Sequence, residues 1–219
     1  MSPCLAGLAA MPQDRVTVVD HPLAGHLLAD LRDAGTEPER YRTLAERLTS
    51  VLVLEATRSL PTVTETVQTP ITATEVTRIG RHVVAVPILR AGLGMLSAAT
   101  DLLPDIGVGY VGLERNEETL QPTEYYYKAP SLDDASVLLL DPMLATGGSA
   151  AFAAKLLRDR GATDLTLVCI IAAPEGIERL TQSDPDIRIV TACVDEGLND
   201  VGYIVPGLGD FGDRLFGTF

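Results

Sequence analysis

The stretch Leu138–Ala150, LLLDPMLATGGSA, places a carboxylate, two hydroxyls and two adjacent glycines between Asp141 and Ser149. Glycines let a backbone turn tightly and bring its amides against a ligand. A helix starting near Gly148 would add a dipole that favours an anion, and Thr146 and Ser149 can donate to further oxygens. These residue types at this spacing suit a phosphate cradle. It lacks the lysine of a P-loop, because no G-x-x-x-x-G-K-[ST] occurs in the chain. If Val137–Leu140 is a strand, Asp141 stands at its carboxyl edge, where open α/β sheets bind ligands. The alternative is a plain strand-to-helix turn with Ser149 as the cap.

Three further loops carry residues of the same kind. In VAVPILRAGLGMLSAA (Val84–Ala99), Gly92 and Gly94 with Glu114 about twenty residues on invite a dinucleotide reading. Ser97 stands where the third small residue belongs, so Arg90 reads better as a cation beside an anion held by the turn amides. ERNEETLQPTEYYYK (Glu114–Lys128) is long and polar, the mark of a lid or binding arm. Arg115 at its base would close over a phosphate, and Tyr125–Tyr127 reads as a strand returning to the sheet or, in preference, as rim packing. In GYIVPGLGDFGDRLFGTF, Gly207, Gly209 and Gly212 surround Asp210 and Phe211. Such a loop can read a flat heterocycle through main-chain groups, with Ile204 and Phe211 as apolar walls, or can simply cap the domain. Two anion turns, a carboxylate, a lid and a base-sized pocket point to a sugar with phosphates at both ends.

The elements that must position these loops follow from periodicity. Val16–Asp20 reads as an edge strand, and Leu23–Ala34 and Glu37–Thr57 as helices. The threonine-rich alternation from Leu60 to Glu75 predicts a hairpin broken near Thr69-Pro70, an arm spanning about 58–78. Strands are predicted at His82–Val86, Gly107–Gly112, Val137–Leu140, Leu165–Ile171 and Ile187–Cys193. Helices fit Gly94–Leu103, Gly148–Arg160 and Ile177–Ser183. The expectation is an α/β fold, a mainly parallel sheet with helices on both faces. It forms one domain over 16–219, with a C-terminal hood from about 194.

Composition bounds the function. The chain has 219 residues and a net charge of −13 without a basic run, which argues against a nucleic-acid footprint. No apolar segment reaches transmembrane length, so no membrane partner is expected. Residues 1–15 read as a disordered tail without the basic start of a signal peptide. Cys4, Cys169 and Cys193 lack paired spacing and read as reduced thiols of a cytoplasmic protein. His21, His26 and His82 show neither metal nor triad spacing.

PILRAGLGM, RNEETL, DPMLATGGS, AAPEGI and GYIVPGLGDFGD together resemble the uracil phosphoribosyltransferase family, from about His21 to the C-terminus. The resemblance implies a type I phosphoribosyltransferase core and the pyrimidine-salvage reaction of uracil with 5-phosphoribosyl 1-diphosphate (PRPP) to give UMP and diphosphate. Mg²⁺ would arrive with the diphosphate, with no direct protein ligand. By resemblance, PRPP would meet Arg90, Arg115, Asp141, Pro142, Met143, Leu144, Ala145, Thr146, Gly147, Gly148, Ser149 and Asp210. Uracil would meet Ile204, Gly209, Asp210 and Phe211, and Arg115, Asp141 and Asp210 would be catalytic. A homodimer or higher homo-oligomer and a GTP effector are also implied. Phe211 departs from the alanine of many bacterial members, though others carry phenylalanine, and Pro142 in place of the second carboxylate of the usual PRPP motif is how this subfamily itself looks. The rivals are a transferase for another base, a non-catalytic nucleobase or PRPP sensor, and a dinucleotide-dependent oxidoreductase.

Overall fold

The computed structural model describes residues 15–115 and 122–218. The expected tail, apart from Arg15, and the middle of the expected lid lie outside them. The chain runs β1 (Val16–Val18), α1 (Pro22–Arg32), α2 (Pro38–Ala56), β2 (Thr62–Gln68), β3 (Ala73–Ile79), β4 (Val83–Leu89) and α3 (Leu93–Leu102). Next come β5 (Gly107–Val108), β6 (Tyr110–Arg115), β7 (Pro122–Lys128), β8 (Ser136–Leu140), β9 (Met143–Leu144) and α4 (Gly148–Asp159). It ends with β10 (Asp164–Ala172), α5 (Pro174–Ser183), β11 (Arg188–Val194), β12 (Gly197–Leu198), β13 (Ile204–Val205) and α6 (Phe211–Phe216).

The main sheet has the order β1-β11-β10-β8-β4-β6-β7, with β5 beside β4 and β9 beside β10. Its pairings are parallel except β6–β7. Burial on both faces explains the unbroken apolar strands. Along β8, Leu138 and Leu140 join the core beneath α1, α2, α3 and α6, while Val137 and Leu139 join the core beneath α4 and α5. From β4 the chain moves by α3 towards β6, and from β8 by α4 towards β10. The crevice between β4 and β8 is therefore a topological switch point, where such sheets bind ligands.

Two sequence expectations change. Tyr125–Tyr127 is not rim packing but the centre of β7, which pairs with β6 through Val111↔Tyr127 and Gly112↔Tyr126. Aromatic side chains suit a pleated edge strand, and Arg160 stacks over the Tyr127 ring at 4.0 Å. The single strand expected over Gly107–Gly112 splits, because the Gly109 N–H turns to the Ala85 carbonyl (2.9 Å) between β5 and β6.

The β2–β3 hairpin pairs within itself, with Thr69 closing its turn onto Thr72, and most of its residues are exposed. Among the described residues, no helix is long and apolar enough to cross a membrane.

Candidate active site

Two strand-to-helix turns meet at the carboxyl edge of the sheet. β4 and β8 are neighbours in register Pro87↔Leu140, so the Arg90–Gly92 turn and the loop from Asp141 lie side by side. They touch closely: a Cβ on Gly92 would meet the Leu140 carbonyl oxygen and would stand 2.8 Å from the Ile88 oxygen. A Cβ on Gly94 would stand 2.6 Å from Leu215 Cδ2 and 3.3 Å from Phe211 Cε1. Close packing, not a dinucleotide, accounts for that Gly-x-Gly pair. The Leu89–Arg90 peptide is cis, and the exposed Arg90 guanidinium lies 6.0 Å from the Phe216 ring centroid.

Asp141 follows β8 directly, its N–H held by Val168 O (3.2 Å) and its carboxylate accepting the Met143 N–H (3.4 Å). The side chain is partly buried, and burial pushes its pKa up to about 6 from an ordinary 3.8; the Met143 N–H pulls weakly the other way. Pro142 is buried, and its carbonyl accepts from Ile170 and Ile171. β9 then pairs with β10, Met143↔Ile171 and Leu144↔Ala172, which anchors the loop before it turns.

At the far end of the loop Gly147 is the N-cap of α4, in the left-handed region at φ 74°. No side chain caps this helix, so Ser149 sits inside its first turn, exposed like Thr146. The first amides of α4 are left for a ligand, as an anion cradle requires. Arg179 of α5, which sequence reasoning missed, lies against this turn: a Cβ on Gly148 would stand 3.3 Å from its Nη1. Its placement could not be read from residue types, because it depends on how α5 packs.

A cleft of about 280 Å³ opens beside the loop. It joins Met143 and Ala145 from the loop and Ala91 from the β4–α3 turn to Ile204, Gly209, Asp210 and Phe211 of the hood. Gly212 and, not singled out from sequence, Val201, Gly202 and Tyr203 complete the lining. The loop thus has two sides: Met143 and Ala145 border the cleft, while Thr146–Ser149 form the helix entry. Asp210 is exposed and caps α6, its Oδ1 accepting the Asp213 N–H at 2.9 Å. Phe211 is only 1% exposed and packs edge-on against Tyr41 with centroids 5.4 Å apart. Arg115 ends β6, opposite Pro122 of β7 in backbone register; its side chain lies outside the described residues.

The comparisons agree with this architecture. A family model described as uracil phosphoribosyltransferase matches residues 18–218. A uracil phosphoribosyltransferase of Clostridium perfringens is 50% identical over 206 residues, covering 93% of this chain and 99% of that protein. One from Thermus thermophilus matches at the same identity and coverage. A solved protein structure from Aquifex aeolicus superposes with a TM-score of 0.86 at 39% identity, covering 92% of this chain and 97% of that one. With the match running through every loop that meets at the carboxyl edge, the chain belongs to the uracil phosphoribosyltransferase family.

Proposed function

We infer that this protein is the enzyme that transfers the phosphoribosyl group of PRPP to uracil, giving UMP and diphosphate in pyrimidine salvage. The observation that carries the assignment of parts is the two-sided loop. Its α4 entry can hold a phosphate, and its Met143–Ala145 side shares a base-sized cleft with the hood.

In this reading the 5-phosphate takes the free amides of Gly147, Gly148 and Ser149 and the hydroxyls of Thr146 and Ser149, with the Arg179 guanidinium alongside. Asp141, at the start of the same loop, accepts from the ribose hydroxyls. Arg90 and Arg115, at the ends of neighbouring strands, are assigned to the diphosphate, as β4 and β6 pair through Leu89↔Gly112. Uracil lies between Met143 and the hood, its polar edge on the main chain around Ile204 and Gly209. A fixed donor and acceptor there leave unpaired groups against cytosine.

Diphosphate departs from an anomeric carbon with oxocarbenium character, so placement and stabilised leaving-group charge supply most of the catalysis. Mg²⁺ bound with PRPP would neutralise the departing diphosphate. Asp141 offers a single carboxylate, and no group of three or more His, Cys, Asp or Glu able to hold a metal occurs among the described residues. Such surroundings suit a magnesium ion held mainly by substrate oxygens and water. As uracil N1 bonds to the anomeric carbon its proton leaves. Asp210, the carboxylate among the described residues lining the cleft, is the acceptor in reach.

The resemblance also implies a cytoplasmic location, a GTP effector and pairing of copies; the exposed β2–β3 hairpin supports the last. The reading is tested by spectroscopic turnover with PRPP and Mg²⁺ against uracil, cytosine, hypoxanthine and adenine. Turnover confined to uracil is expected, and inactivity with uracil would end it. Arg115→Ala should lower turnover strongly with the fold intact.

A further inference from the structure

Behind the cleft, the hood is fastened to the end of α1 by two arginines. Arg32, the last residue of α1, donates from Nη1 to Asp195 Oδ2 (2.9 Å) and from Nη2 to Asp195 Oδ1. Asp195 follows β11 and is buried, 5% exposed, with its own N–H on the Ala172 carbonyl (2.9 Å). This ion pair holds both polar groups of one hood residue: the Gly207 N–H donates to Asp195 Oδ2 (3.0 Å), and the Gly207 carbonyl accepts from Arg32 Nη1 (2.6 Å). The carbonyl of the next residue is also held, since Arg214 donates to the Leu208 carbonyl (2.8 Å) and to the Leu31 and Asp33 carbonyls at the end of α1. The Arg214 guanidinium stacks over the Tyr41 ring at 4.4 Å.

The residue after these two is Gly209, which borders the cleft. Gly207 and Gly209 both have positive φ, 63° and 79°, and the Val205–Pro206 peptide is cis. Among the described residues neither polar main-chain group of Gly209 has a protein partner, whereas those of Gly207 are both engaged. The segment therefore has a fastened rear and a front whose main chain is free for a ligand. A glycine-rich loop would otherwise lose much conformational freedom on binding, and a loop ordered beforehand binds more tightly.

We propose that Arg32 and Asp195 are positioning residues for the base: their buried ion pair fixes Gly207 and so presents the main chain at Gly209 to the heterocycle in one orientation. Neither side chain borders the cleft, so the effect reaches uracil only through the loop. The pair is spatial and not local, joining residues 163 apart. The inference rests on the base-binding reading above and deepens it by naming what sets the loop.

The test is steady-state kinetics of the full chain with Arg32→Lys and Asp195→Asn, varying uracil and PRPP separately. Lysine keeps the charge but cannot span both carboxylate oxygens and the Gly207 carbonyl. The expected result is a KM for uracil raised about tenfold or more, a KM for PRPP within about twofold, and a reduced preference for uracil over cytosine. Both KM values rising together, or neither, overturns the proposal. Hydrogen exchange in the wild-type protein without ligand decides the matter if both variants fail to fold. The Gly207 N–H, held by Asp195, should exchange as slowly as the amides of β11, and its exchange at the rate of an exposed loop overturns the clamp. Absence of uracil turnover by the wild-type protein would instead remove the base-binding reading, with the exchange measurement still judging whether the loop is preordered.

Discussion

Gly147 and Gly176 lie back to back where the loop enters α4 and α5 begins. A Cβ on Gly147 would stand 2.6 Å from the Gly176 carbonyl oxygen and 3.2 Å from its Cα. A Cβ on Gly176 would stand 2.7 Å from the Leu144 oxygen and would also meet the Ala145 oxygen. The AAPEGI motif thus acts on the loop by letting two backbones touch, although Gly176 itself does not line the cleft beside the loop.

Gly176→Ala should therefore behave as a loop mutation. The added methyl can be relieved only by moving the Leu144 and Ala145 carbonyls, which turns the α4 entry out of place. Overpacking of this kind costs about 1–3 kcal/mol of stability. Urea unfolding should show that loss, and kcat/KM for PRPP should fall at least ~10-fold. An unchanged kcat/KM would mean that the loop tolerates displacement.

Asp141 should titrate in the working range. With its pKa raised to about 6, the side chain is neutral below that pH and ionised above it. If the ionised form receives the ribose, kcat/KM for PRPP has an acid limb near pH 6, and Asp141→Asn removes the limb together with most of the activity. The sign for stability is opposite to that of an ion-paired carboxylate. The folded protein holds this proton more tightly than the unfolded chain, so this group's contribution falls as pH rises from about 4 to 6. The loss approaches ~3 kcal/mol, and Asp141→Asn should melt higher than wild type at pH 8 but alike near pH 4. Equal melting of the two at pH 8 would place the carboxyl in a more solvated setting.

The strand ending at Asp141 was legible because Val137–Leu140 is apolar without interruption, and the entry to α4 because two glycines precede an alanine-rich run. The hidden part of the site is tertiary. Arg32 and Asp195 are each unremarkable where they stand in the chain, and only the packing of α1 against β11 makes them partners. Met143 and Ala145 border the cleft because β9 pairs with β10, and a two-residue strand leaves no periodicity to read. The tyrosine run of β7 is hard to read as a strand because the polar sequence ahead of it, RNEETLQ, offers no hairpin dipeptide to signal a pair with β6.

Arg179 separates binding from folding. It is exposed, and among the described residues it makes no ion pair, yet its guanidinium lies at a helix N-terminus in a chain of net charge −13. A cation there is disfavoured by the helix dipole unless an anion joins it. Arg179→Gln should leave the melting temperature unchanged or slightly raised, while KM for PRPP rises roughly tenfold, the scale of one charge-assisted hydrogen bond. KM for uracil should not move. A variant with normal PRPP saturation would take Arg179 away from the phosphate.

Phe211→Ala tests whether this side chain serves the base or the core. Its ring is nearly inaccessible and meets Tyr41 edge-on, and its Cε1 approaches Gly94 on α3. Removing it opens a cavity between α2, α3 and α6, which costs about 3–5 kcal/mol by the usual scale for large core residues. On the proposed reading, in which the main chain of the hood tells the two bases apart and is held from behind by Arg32, Asp195 and Arg214, discrimination between uracil and cytosine should nevertheless survive. The measurements are urea unfolding and the ratio of kcat/KM for the two bases. A large stability loss with the ratio intact assigns Phe211 to the core. A collapsed ratio with little loss of stability would make it a wall of the base pocket, as its position in the sequence first suggested.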